Sequence, residues 1–177
     1  AGIQTIPLIG QVGAGKTTLA RQYAPQQKVS CLWEIDAETP MSLQISFEKL
    51  AKRLVTTASD ARILKEILDT KDPLEHEEKL IHFVKEHLKS HQNWFLIYDN
   101  VEKFADIQKY FPNDLETWGM GRVILTTRDA NIESNSQVDH SLFVGELIPQ
   151  QKLFLYTRIT GGGGFSHITR FQIKEIE

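Results

Sequence analysis

Apolar positions along the chain fall into two rhythms, short continuous runs and longer stretches with a helical repeat. Ile3-Gln4-Thr5-Ile6-Pro7-Leu8-Ile9 reads as a short strand, and Thr18-Leu19-Ala20-Arg21-Gln22-Tyr23 as the opening of a helix. After a polar break at Gln26-Gln27-Lys28, residues 29–35 form a second apolar run that ends at Asp36-Ala37-Glu38-Thr39-Pro40. Leu43, Phe47, Leu50 and Leu54 recur at helical spacing, which predicts a helix over about 42–55. Ile63, Leu64, Ile67 and Leu68 mark another helix. Asp72-Pro73 starts a third, long one with Leu80, Ile81, Val84 and Leu88 as its buried stripe.

Asn93 interrupts, and Trp94-Phe95-Leu96-Ile97-Tyr98 then runs apolar into Asp99-Asn100-Val101-Glu102, the pattern of a central strand buried on both faces. A short helix carrying Phe104, Ile107, Tyr110 and Phe111 is stopped by Pro112. Gly119 and Gly121 bracket a turn into a fourth strand, Arg122 to Arg128. Ser141 to Val144 is a fifth strand, Pro149 opens a helix, and Gly161 to Gly164 break the chain before a last helix capped by Ser166. The expected organisation is one folded domain over 1–160 and, over 161–177, a Gly-rich linker with the start of a helical subdomain. Strands alternating with helices predict an α/β fold, a mainly parallel sheet with helices on both faces.

Composition narrows the functional classes. Hydrophobic residues at 41% and charged residues at 24% are ordinary for a globular chain, which argues against disorder. A net charge of -3 gives no electrostatic case for a nucleic-acid or membrane partner. The single Cys31 has no intrachain disulfide partner, sits in an apolar run, and suits a reducing, cytoplasmic setting. No stretch is apolar for long enough to span a bilayer. The first residue is Ala and the first strand begins at once, so the expectation is a piece of a longer protein.

The chemistry starts at Gly10-Gln11-Val12-Gly13-Ala14-Gly15-Lys16-Thr17-Thr18, which fits G-x-x-x-x-G-K-[ST] between a strand and a helix. Glycines let successive backbone N–H groups turn inward and form an anion nest at a helix N-terminus. The expected phosphate contacts are Gly10, Val12, Gly13, Ala14, Gly15, Lys16, Thr17 and Thr18. Lys16 would meet the β- and γ-phosphates, and the Thr17 hydroxyl would face Mg²⁺. Asp99, at the C-terminal end of the buried strand, faces the same crevice and is the expected second metal ligand, opposite Thr17. Arg128, after Thr126-Thr127, would reach the terminal phosphate.

These three segments (Gln11 to Ala20, Phe95 to Val101 and Gly121 to Asp129) together resemble the NB-ARC branch of the STAND signal-transduction ATPases, over roughly residues 3–159. The resemblance implies a three-layer P-loop NTPase with a five-stranded sheet in the order 5-1-4-3-2. It implies ATP or ADP with Mg²⁺ as ligands, and Arg128 as a sensor of the γ-phosphate. It also implies a closed monomer with ADP and assembly with ATP, through protein partners bound by flanking domains.

The departures from that pattern bear on catalysis. The family often carries a second acid after the apolar strand, and here that place holds Asn100, an amide that cannot act as a base. Glu102 is the nearest substitute, so Lys16, Arg128 and Glu102 are the candidate catalytic residues and slow hydrolysis is expected. No Gly-Leu-Pro segment follows Gly164 and no Met-His-Asp motif is present. The alternatives are an ATP-driven remodelling or clamp-loading enzyme and, less well supported, a P-loop kinase. A GTPase is disfavoured, because Asp99-Asn100-Val101-Glu102 is not D-x-x-G and no N-K-x-D occurs. Of His76, His82, His87 and His91, the first fails H-E-x-x-H because Leu80 fills the second histidine place, and His87 and His91, which share a helix face without a nearby third ligand, are expected to be solvated surface residues.

Overall fold

The computed structural model describes residues 3–134 and 142–144. Four parallel strands form the body of the sheet: β1 (Gln4–Ile9), β2 (Leu32–Asp36), β3 (Trp94–Val101) and β4 (Gly121–Thr127). They lie side by side as β2-β3-β4-β1, and a two-residue β5 (Leu142–Phe143) pairs parallel to β1 through Leu8↔Leu142 and Ile9↔Phe143. The segments expected to form the Pro149 helix, the Gly161–Gly164 break and the Ser166 helix lie outside the described residues.

Side chains alternate across each strand, so the central strands feed two cores. On one face Phe95, Ile97 and Ile124 pack with Leu19, Ala20 and Tyr23 of α1 (Lys16–Tyr23). On the other face Leu96, Tyr98, Val123 and Leu125 meet the larger helical layer. That layer comprises α2 (Pro40–Leu54), α3 (Ala58–Leu68), α4 (Pro73–Ser90), α5 (Phe104–Ile107) and α6 (Leu115–Trp118). Helices therefore cover both faces, as the alternating pattern predicts.

The long helices start where side-chain oxygens cap free amides. Thr39 and Thr57 each form a reciprocal capping box, with Ser42 and Asp60, and Asp72 accepts from the Glu75 amide. Thr39 as cap puts Pro40 inside the first turn of α2, two residues earlier than the apolar repeat shows.

Several boundaries differ from expectation. β2 starts at Leu32, not Val29, because its pairing with β3 begins at Leu32↔Phe95; the Val29 side chain packs into the α1-side core instead. β4 ends at Thr127, so Arg128 lies one residue beyond the strand. Helix α6 was not expected; Asp114 caps it through the Thr117 amide, and its Trp118 carbonyl accepts from the Trp94 indole at 2.8 Å. Gly121 allows that corner to close, since a Cβ there would lie 2.0 Å from the Trp94 ring.

The expectation for His87 needs correction as well, and His76 has a structural place of its own. His76 is buried, with Nε2 3.1 Å from Glu48. His87 stacks on Phe83 and meets Asp60 at 3.1 Å, tying α4 to the start of α3. Both stand on the side of α4 that faces α2 and α3, where a carboxylate meets each ring. Among the described residues no group of three or more His, Cys, Asp or Glu side chains is placed to hold a metal, and no helix is long and apolar enough to cross a membrane.

Candidate phosphate and metal site

The C-terminal edges of β1, β3 and β4 converge on one cleft. The loop from Gly10 to Gly15 leaves β1 with the Gly10 amide bonded to the Thr127 carbonyl at 3.1 Å, then turns tightly through Ala14 N–H to Gln11 O, also 3.1 Å. Gly13 and Gly15 adopt φ of 82° and 90°, left-handed backbone that other residues enter at a cost. At Gly10 the constraint is space, since a Cβ would sit 2.2 Å from the Val144 carbonyl oxygen beside β5. Gly15 is the N-cap of α1 and no side chain caps that helix, so the amides of its first turn are left for an outside acceptor.

Lys16 Nζ donates to the Gly10 and Gln11 carbonyls at 2.6 and 2.8 Å. Burial, followed by the positive charge of Arg128, pushes its ammonium below the usual lysine range, and Asp99 opposes the shift. An anion in the cleft would supply the charge that this ammonium lacks.

Beneath the loop, Asp99 Oδ1 accepts hydrogen bonds from the Thr17 and Thr126 hydroxyls, each at 2.6 Å. The sequence pairs Thr17 with Asp99 across 82 residues, and the structure brings them together. Hydroxyl and carboxylate are hard oxygen donors of the kind Mg²⁺ takes, so this corner fits that ion. Thr126 was not foreseen. Its hydroxyl also accepts the Asn100 amide at 2.9 Å, which holds Asn100 in left-handed backbone with φ 61°. There the β3–β4 register shifts between Tyr98 and Val101, a bulge that carries Asp99 and Asn100 out of the regular ladder.

The cleft encloses about 550 Å³. Of the expected residues, Val12, Gly13, Gly15, Lys16, Thr17, Thr18, Glu102 and Arg128 line it. Gly10 and Ala14 serve the loop's backbone turn, and Asp99 lies under Thr17. Arg128 Nη2 stands 3.8 Å from Glu102, and both side chains are more than half exposed, at 58% and 63%. Such a pair is weak and leaves the guanidinium available to another anion. Glu38 also lines the cleft. Its signal in the sequence is a carboxylate just past the end of a parallel strand, on the edge where such sheets bind ligands.

A protein-family model described as an AAA domain matches residues 4–143. The chain belongs to the AAA domain family. The matched span holds the phosphate loop, Asp99 and Arg128, and an AAA domain is a nucleotide-binding P-loop domain. Among solved structures, one similar to it is a Signal Transduction ATPase with Numerous Domains (STAND) protein with a tetratricopeptide repeat sensor from Pyrococcus horikoshii, at 14% identity and a TM-score of 0.47. That comparison covers 98% of this chain and 25% of the Pyrococcus chain, so the AAA domain here spans about a quarter of that protein's length. No curated protein matches the chain significantly.

Proposed function

We propose that this AAA domain is an ATP/ADP-responsive switch of the STAND type, close to its NB-ARC branch, working in the cytoplasm as part of a larger signalling protein. The observation that carries the reading is the single Asp99 oxygen shared by Thr17 and Thr126. It joins the phosphate loop to β4, and β4 leads directly into Arg128. In this reading the loop amides and Lys16 hold the β- and γ-phosphates, and Mg²⁺ sits against Thr17 and Asp99. Arg128 exchanges Glu102 for the γ-phosphate. ATP and ADP then differ at Arg128, and a switch requires such a difference between its two ligands. Asn100, in the place of a second acid, favours holding nucleotide over fast turnover. Domains outside this chain would supply partners and output, with ATP favouring assembly.

The test compares ATP and ADP affinities, by titration with fluorescent nucleotides and Mg²⁺, for the wild type and Arg128→Ala. The variant should lose roughly tenfold or more for ATP, the scale of one charge-assisted contact, and much less for ADP. Equal losses would sink the sensor assignment. Rapid steady turnover by the intact protein would instead favour a remodelling or clamp-loading ATPase.

A further inference from the structure

Hydrolysis of a bound triphosphate requires a group that orients a water against the γ-phosphorus and takes its proton. Asn100 has no basic atom for this. Among the described residues three carboxylates stand at or beneath the cleft. Asp99 is engaged by two hydroxyls, and Glu102 faces Arg128. Glu38 lines the cleft with Lys16, Thr17 and Asn100, and among the described residues its side chain has no hydrogen bond or ion pair.

The backbone that carries Glu38 is held unusually well for a connection. Four successive amides are bonded: Asp36 to Ser46 Oγ at 3.0 Å, Ala37 to the Asp99 carbonyl at 2.8 Å, Glu38 to Asp36 Oδ1 at 3.1 Å, and Thr39 to Ser42 Oγ at 3.0 Å. The second of these extends the β2–β3 ladder, where Asp36 pairs with Asp99, by one further residue. That bond sets Glu38 beside Asn100, at the rim of the site. A free carboxylate on a pinned backbone, next to the place where an acid is missing, is a preorganised base.

We propose that Glu38 orients and deprotonates the attacking water, in the role that Asn100 cannot fill. The inference rests on nucleotide occupying the cleft as described above. The water oxygen forms a bond to the γ-phosphorus, the bond from that phosphorus to the β,γ-bridging oxygen breaks, and its electron pair leaves on ADP. One water proton passes to the Glu38 carboxylate and then to the departing phosphate or to solvent. ATP and water thus become ADP and inorganic phosphate, and Glu38 is restored.

Glu38→Gln keeps the size of the side chain and removes its basicity. Two quantities are measured on the same samples with Mg²⁺: equilibrium binding of fluorescent ATP and ADP, and single-turnover release of phosphate from ATP. The variant should bind both nucleotides within threefold of wild type and release phosphate about a hundredfold more slowly, the usual scale for a lost general base. It should retain uncleaved ATP through gel filtration, and its melting temperature should match the wild type because the side chain is exposed. Unchanged phosphate release in the variant overturns the role. So does a larger loss in Glu102→Gln, or a wild type that binds ATP and never cleaves it. A wild type that binds no nucleotide overturns the switch reading itself, and the binding measurement separates that failure from the others.

Discussion

Thr126 offers the sharpest test of how the site is built, because one hydroxyl makes two contacts and an isosteric residue removes both. Thr126→Val keeps the shape and suits a strand, but it takes a donor from Asp99 Oδ1 and an acceptor from the Asn100 amide. Thr126 is 0% exposed and Asp99 9%, so water repairs little. A hydrogen bond to a charged group contributes about 1.5–3 kcal/mol, and the half-buried bond from the Asn100 amide about 0.5–1.5 kcal/mol. The added methyl returns on the order of 0.8 kcal/mol. Taking the lower part of these ranges, because Asp99 keeps its bond from Thr17, gives a net loss of about 2 kcal/mol. For a chain of this length that is a fall in Tm of roughly 4–8 °C. Thermal melts followed by circular dichroism measure it, and Thr126→Ser, which keeps the hydroxyl, should recover most of the loss. If the valine variant melts within 1 °C of wild type, or the serine variant melts as low as valine, the shared-oxygen account of the site is wrong.

Two further outcomes are expected. Lys16→Ala should lower ATP affinity at least a hundredfold in calorimetric titration while Tm moves by only a few degrees, since the lysine contacts its own loop and not the hydrophobic core; unchanged affinity would remove the loop from the binding site. Asp60 provides a pH test. The hydrogen bond from His87, then those from the Thr56 amide and the Thr57 hydroxyl, with the Thr57 amide last, hold its carboxyl well below the ordinary 3.8. A depressed acid stabilises the fold above its unfolded pKa, and the stabilisation is lost as pH falls through the folded value. The Tm advantage of wild type over Asp60→Asn should therefore be full near neutrality and shrink as pH drops below about 4, and a gap independent of pH would refute the assignment.

How much of this was legible in the sequence follows from what each signal depends on. The loop and the buried strand ending in Asp99 are local patterns whose backbone requirements are written in neighbouring residues. Pairing Thr17 with Asp99 needed only the rule that parallel strands present their C-terminal ends together. Thr126 lay hidden inside an apolar strand, where a threonine reads as a β-former. Its role depends on the bulge at Asp99 and Asn100, and no local pattern marks that bulge. Glu38 was passed over as the end of a strand segment, although the Thr39 cap that fixes it follows immediately. His87 was misjudged, and the place of His76 missed, because helical periodicity gives the spacing of a stripe but not its width. The partners that draw these rings inward, Glu48 and Asp60, come from other helices.

The Asp99 oxygen has a thermodynamic consequence beyond binding. Thr17, Asp99 and Thr126 are separated by 82 and 27 residues of chain, and loops of that size resist closure entropically until the sheet has formed. No short segment can contain the site, so any ligand selective for it binds the folded ensemble alone. At a hundred times its Kd such a ligand adds ~2.7 kcal/mol to folding stability, a sizeable share of what holds an ordinary domain together. Occupancy and foldedness of this domain are one linked equilibrium.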